Sequence, residues 1–317
     1  LLRNNELLSK KIKDKDLISF RILNNEEVKD LDINDNFSNI IEHPKINYIS
    51  YPYEWSFNQL KKAALFYLDF HLDLLKDDIS LKDSSAFNVQ FLGSKCIFID
   101  LFSIEKFNSN KFWPGYSQFC EQFLNPLILQ SKTGMDFNLL YKSEINGIPT
   151  SLTSRLLPLR KKITSRHTFI NIFLLDLIQK FKKNKKIKLK NKKIYFNKEY
   201  FTGRLKSIKK FIDTLNYNEQ NTTWSNYSQE NFYSKEEENE KVQYVNNNLP
   251  KLNIEFVCDL GCNEGKFSEI ACNHGAKYVV GFDNDHDVLN KSFLLSENKN
   301  LDFLPLYMDL TNPSSDS

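Results

Sequence analysis

An apolar run that ends in an acid and turns at once through two glycines constrains this chain more than any other stretch. Residues 254–265 read Ile-Glu-Phe-Val-Cys-Asp-Leu-Gly-Cys-Asn-Glu-Gly, and Lys266-Phe267-Ser268-Glu269-Ile270-Ala271 continues as the first turns of a helix. Strand, tight glycine turn and helix, in that order, let a backbone approach a nucleotide-like ligand. The alternation after Pro250 reads as strand 254–259, helix 264–273, strand 277–282, helix 286–297 and strand 302–308. Gly275 ends the first of these helices and Asp285 is placed to cap the second. The expected fold class is α/β, with a doubly wound parallel sheet represented by its first three strands.

Each of those strands leads into an acid, Asp259, Asp283 or Asp309. Ligands bind beyond the carboxyl ends of such strands, so the three carboxylates line one crevice. A dinucleotide motif, G-x-G-x-x-G, requires glycine at 261, 263 and 266, and the chain has Gly261, Asn263 and Lys266. Glu264 also stands where a pyrophosphate would meet the helix N-terminus. A ligand without phosphate and with positive charge fits these acids better.

Asp259-Leu260-Gly261-Cys262-Asn263-Glu264-Gly265 resembles the D-x-G-x-G-x-G motif of class I S-adenosylmethionine (SAM)-dependent methyltransferases, with Asn263 in the central glycine place. The resemblance implies a Rossmann-like sheet and a cofactor-binding set of Asp259, Gly261, Cys262, Asn263, Gly265, Asp283, Asn284 and Asp309. The Gly261–Gly265 turn would pass under the methionine moiety with Asp259 near its ammonium. Asp283 would accept from the ribose hydroxyls and Asp309 from the adenine amino group. Asn tolerates the unusual backbone angles that the central position asks for. Pro305 argues against a central strand, and in that family the third strand is the outer edge of its half, where proline is tolerated.

The N-terminal part is α+β and rich in helices. Short strands are expected at 17–23 and 46–51, and a helix from Ser56, a plausible N-cap, to about Lys76. Strands at 89–92 and 96–99 flank a Gly93-Ser94 turn. Asp83, Asn88 and Asp100 around this hairpin resemble the D-x-x-x-x-N and closing I-D of protein-kinase-like and aminoglycoside-phosphotransferase-like folds. That resemblance implies Asp83 as catalytic base, and Asn88 and Asp100 as ligands of Mg²⁺ on ATP. The chain departs from it at Leu81, where the family has His, and at Leu101, where a Gly should follow the acid. Further helices are expected at 112–131, bent at Pro126, and at 137–143, 152–157, 168–182 and 204–215.

A chain of 317 residues is long enough for two cores. The expected division is an N-terminal domain over 1–215, a polar linker over 216–233, and a SAM-binding domain over 234–317, opened by a capping box at Ser234 and Glu237. A net charge of +3 names no partner, and the lysine-rich run 180–193 reads as a solvated helix end, with a nucleic-acid or lipid patch as the alternative. The five cysteines form no C-x-x-C pair, so reduced thiols in a cytoplasmic protein are expected. No apolar run approaches ~18 residues, so no membrane span is expected.

Tyr51-Pro52-Tyr53-Glu54-Trp55-Ser56-Phe57, the 81–91 segment and Phe98-Ile99-Asp100 resemble bacterial class I methyltransferases related to a nodulation protein of rhizobia. This implies a methyltransferase domain behind an N-terminal domain of its own; it does not carry over a nodulation substrate, and a small-molecule or saccharide-like acceptor stays open. The chain lacks an initiating Met and stops within the sheet, so it is expected to be a piece of a longer protein, inactive by itself. Three function classes stay open: a methyltransferase, a phosphotransferase using Asp83, Asn88 and Asp100, and a non-catalytic nucleotide-fold binding protein.

Overall fold

The computed structural model describes residues 5–29, 39–109, 113–163, 165–177, 197–220, 222, 234–252 and 254–312. Helix α1 (Glu6–Lys13) starts where the Asn5 side chain accepts from Leu8 N at 2.8 Å, and it buries Leu8. Strands β1 (Arg21–Ile22) and β2 (Ile41–Glu42) form a short antiparallel pair. The strand expected over 17–23 is thus reduced to two residues, apart from a bridge between Leu17 and Phe98. Residues 46–51 form no strand. Instead Ser50 N donates to Gln90 Oε1 and Gln90 Nε2 donates to Ser50 O, both at 3.0 Å. A side-chain amide takes the place of a neighbouring strand there, and so an extended apolar stretch makes no ladder.

Helix α2 (Phe57–Lys76) begins with a capping box, in which Ser56 N donates to Gln59 Oε1 at 2.8 Å and Gln59 N to Ser56 Oγ at 3.4 Å. Its apolar stripe, from Leu60 through Ala63, Ala64, Tyr67 and Leu68 to Leu75, is buried throughout. The strands that follow are β3 (Ile79–Leu81), β4 (Val89–Leu92), β5 (Lys95–Phe98) and β6 (Ile104–Lys106). β4 and β5 form a hairpin, and β3 pairs antiparallel with β6 on either side of it.

The helix expected over 112–131 is seen from Tyr116 to Thr133. It shifts hydrogen-bond register through a π turn, Cys120–Leu124, and Pro126 then lies in the first turn of α3 (Asn125–Thr133), where its missing N–H costs little. Helix α4 (Asn138–Ser143) and a helix at Thr150–Leu156 follow close to expectation. The expected helix 168–182 starts early, at Arg166, and its end lies outside the described residues, as does the lysine run 180–193. Helix α5 (Lys198–Asp213) begins six residues before the expected start at 204, where Asn197 accepts from Tyr200 N at 2.7 Å.

The C-terminal part runs α6 (Lys235–Asn248), β7 (Phe256–Leu260), α7 (Lys266–Asn273), β8 (Tyr278–Asp283), α8 (His286–Lys299) and β9 (Phe303–Tyr307). The capping box at Ser234 and Glu237 opens α6, and Asp285 caps α8 by accepting from Asp287 N and Val288 N. The three strands form one parallel sheet in the order β7-β8-β9, which makes the chain mixed α/β with several small sheets.

Alternate residues of this sheet enter two apolar clusters, as the two-residue strand period requires. Val279 and Phe303 pack with Ala271 and Leu289 of the crossover helices. Tyr278, Val280, Phe282, Leu304 and Leu306 join the N-terminal residues in a single core. Phe293 of α8 meets Phe91 of β4 edge-on at 5.8 Å between ring centroids, and Asn58 N donates to Asn290 Oδ1 at 3.0 Å. Where the expected linker is described it is anchored: Tyr217 Oη donates to Asp287 Oδ1 at 2.6 Å, and Gln220 N to the same atom at 3.0 Å.

Candidate functional site

The turn after β7 uses the left-handed region three times. Gly261 has φ 77°, Asn263 φ 49° and Gly265 φ 87°. Asn263 pays part of the cost of that conformation locally, since its Oδ1 accepts from Glu264 N at 2.7 Å. Gly261 N and Cys262 N both donate to Phe282 O, at 2.8 and 3.0 Å, which lays the turn across the end of β8. Gly281 makes room for it: a Cβ at that position would lie 2.7 Å from Cys262 Cβ. Among the described residues, chain neighbours aside, no atom lies within 4 Å of where a Cβ at Gly261 would stand, which leaves the backbone of the turn open to a ligand on that side.

Two of the three strand-end acids support this turn. Asp283 Oδ2 accepts from Asn263 N at 2.9 Å and its Oδ1 from Asp285 N at 3.0 Å. Asp259 Oδ2 accepts from Ser268 Oγ at 2.7 Å. Burial raises the Asp259 carboxyl above the ordinary carboxylate range, and the neighbouring Asp283 charge raises it further. Glu264 is paired with Lys291 at 3.0 Å, so the negative field at the turn comes from Asp259 and Asp283. Asn284 is exposed beside Asp283. Asp309 lies two residues past β9, where Thr311 Oγ1 and N donate to its Oδ1 at 2.7 and 2.9 Å and hold its pKa below the usual value.

Sequence reasoning passed over several residues nearby. Ser268, on the first turns of α7, is buried and bonded to Asp259. His286, the first residue of α8, stacks on Tyr307 at 4.6 Å with 6° between the rings, and its Nε2 is 3.7 Å from Asp136 Oδ2. Glu54, Asn138 and Lys142 of the N-terminal part meet Tyr307 and Asp309 around a cavity of about 170 Å³. Only a signal of long-range contact would have found these, because no local motif joins Glu54 to β9.

The second constellation is brought together in part. Asn88 Nδ2 donates to Asp100 Oδ2 at 3.2 Å and Ser103 Oγ donates to the same oxygen, while Phe102 N donates to Asp100 Oδ1 at 2.9 Å. Asp83 Oδ1 accepts from Ser85 N at 2.9 Å. Among the described residues no group of three or more His, Cys, Asp or Glu side chains is arranged to hold a metal ion. No described helix is long and apolar enough to cross a membrane.

No family model matches the chain. It is similar to nodulation protein NoeA of Rhizobium meliloti (strain 1021). The two are 36% identical over 278 residues, which is 87% of this chain and 58% of NoeA. The chain therefore spans less than two thirds of NoeA. A match of that length also reaches far beyond the C-terminal sheet, so the similarity to NoeA includes the N-terminal part.

Proposed function

We propose that the C-terminal part is the SAM-binding half of a Rossmann-like class I methyltransferase fold, and that the protein is a SAM-dependent methyltransferase. One observation carries this: an open, left-handed turn at the carboxyl end of a parallel strand, tied by Asn263 N to the acid that ends the next strand. When bound, SAM supplies an activated methyl group. The chain's own residues would bind and orient it. The bare backbone over Gly261 offers close approach, Asp259 and Asp283 favour a cation, and the uncompensated acids disfavour a pyrophosphate. Asp283 would take the ribose hydroxyls with lone pairs not used by Asn263 N and Asp285 N.

The test is titration calorimetry of SAM into the intact protein and its Asp283→Asn variant. The variant keeps the side-chain shape and should bind at least tenfold more weakly. Equal affinity, or no binding by the wild-type protein, overturns the assignment.

A second reading rests on Asn88 and Asp100, which stand together at the mouth of a hairpin flanked by the β3–β6 pair. In a phosphotransferase using Asp83 as base, these two would hold Mg²⁺ on ATP. It calls for Mg²⁺-dependent ATP binding that Asp100→Ala removes.

A further inference from the structure

We propose that the surface around the helical turn Leu159–Lys162 docks the protein onto an anionic lipid bilayer, with Leu159 and Ile163 entering the headgroup layer and the cations around them meeting lipid phosphates. The proposal does not depend on the SAM reading.

The region is one-sided in charge. From Ile145 to Leu175 there is no Asp or Glu, while Arg155, Arg160, Lys161, Lys162 and Arg166 fall within one short stretch. The chain as a whole nearly balances its charges, with 43 Lys and Arg against 40 Asp and Glu, so the local excess does not follow from composition. Elsewhere on the surface lysines meet acids, as Lys198 meets Asp78 and Lys209 meets Asp69, both at 2.6 Å. Among the described residues Arg155, Arg160, Lys162 and Arg166 enter no ion pair.

The fold turns this stretch outward. After Pro158 the chain makes a single helical turn, Leu159–Lys162, which buries none of its residues. It is held on both sides. Leu157 lies in the core, and beyond the turn Ser165 Oγ accepts from Thr168 N at 3.0 Å while the His167 ring stacks on Phe211 of α5 at 4.8 Å. Between these anchors Leu159 and Ile163 are 67% and 64% exposed. They are four residues apart with helical backbone through Ile163, so they lie on the same side of the turn. One exposed leucine is ordinary, whereas two bulky apolar side chains on one side of a turn, set among cations, mark an interaction surface.

The apolar pair and the cations call for one partner. An anionic bilayer accepts both, because the apolar tips gain by leaving water at the acyl boundary and Lys and Arg gain from the negative surface potential. A nucleic-acid backbone would satisfy the cations and leave Leu159 and Ile163 in water, and residues 155–166 include no aromatic ring for base stacking. Two apolar tips make a reversible surface contact, not a span.

The probes are vesicles of phosphatidylcholine alone and vesicles in which about one third of the lipid is phosphatidylglycerol. They are cosedimented with the intact protein, with Leu159→Ser/Ile163→Ser and with Arg160→Gln/Lys162→Gln. None of the four side chains is buried, so both variants should keep the wild-type thermal midpoint. The wild-type protein should bind the anionic vesicles about tenfold more tightly than the neutral ones, or better, and each double substitution should weaken that binding by about as much. The apolar pair decides, because its replacement leaves the net charge unchanged. If Leu159→Ser/Ile163→Ser binds like wild type, the attraction comes from cations elsewhere in the chain and the docking surface is refuted. A wild-type protein that ignores both kinds of vesicle refutes it too. If that protein instead binds a fluorescent oligonucleotide through Arg160 and Lys162, the patch is a nucleic-acid contact.

Discussion

Glu54 is a single residue whose burial sets a pH dependence on the whole fold. Burial pushes its carboxyl up to about 7 from an ordinary 4.5, against the Tyr51 amide and the Lys142 charge, which both favour the ionised form. Between those two values the folded chain holds a proton that the unfolded chain has released. Stability therefore falls as pH rises through this window, and the loss is complete above pH 7. Glu54→Gln should remove the penalty, raising stability at pH 8 by about 1–3 kcal/mol and leaving it unchanged at pH 4. Thermal unfolding at the two pH values reads this directly, and a uniform gain or loss at both would refute it. Asp283 behaves differently. It holds the amides of Asn263 and Asp285, so Asp283→Ala should loosen the turn as well as the site, at a cost of about 1–3 kcal/mol in urea unfolding. Asp283→Asn keeps an oxygen acceptor and should cost less.

Among the elements, β9 and α2 depend on each other through one side chain. Pro305 is in an edge strand, as its missing N–H requires, and its carbonyl accepts from Gln59 Nε2 at 2.9 Å. The other end of the Gln59 amide accepts from Ser56 N and closes the cap of α2. Gln59→Ala should cost about 2–4 kcal/mol, because it removes a cap and leaves a buried carbonyl unpaired. Gln59→Glu restores the cap acceptor but not the donor, so it should recover only part of the loss in chemical denaturation. Recovery to wild type would show that Pro305 needs no partner. Half of this arrangement was legible in the sequence. The Ser56 cap, the helix over 57–76, and the alternation from β7 to β9 are local patterns, with their own start and stop residues. So were Gly261, Asn263 and Gly265, since left-handed positions select glycine and asparagine. The partner of Pro305 was not legible, because Gln59 lies 246 residues away. The same distance problem hid Gln90 beneath Ser50 and turned an expected strand into a side-chain-bonded segment. The strand pair β1–β2 was too short to carry a two-residue period.

For the whole molecule, the decisive asymmetry lies in how the C-terminal sheet is covered. On the face that meets the N-terminal core, β8 contributes Tyr278, Val280 and Phe282, all buried. The residues beside them on β7 are Phe256, Cys258 and Leu260, and all three are exposed, Phe256 to 47% and Leu260 to 64%. Among the described residues β7 pairs with β8 alone, so its outer edge also presents unpaired backbone groups. An open edge beside an apolar face is a template for another strand, whether from the same protein or from a second copy. Covering Phe256 and Leu260 would contribute about 1.5–3 kcal/mol each, enough to drive association of the 1–317 chain at high concentration. Sedimentation velocity on this chain should show a weight-average mass that rises with concentration. Leu260→Lys, which places a charge on the exposed face without touching the core, should suppress that rise and leave the thermal midpoint of the monomer unchanged. If the wild-type chain stays monomeric across the whole range, something within it shields β7, and the exposed face has no part in assembly.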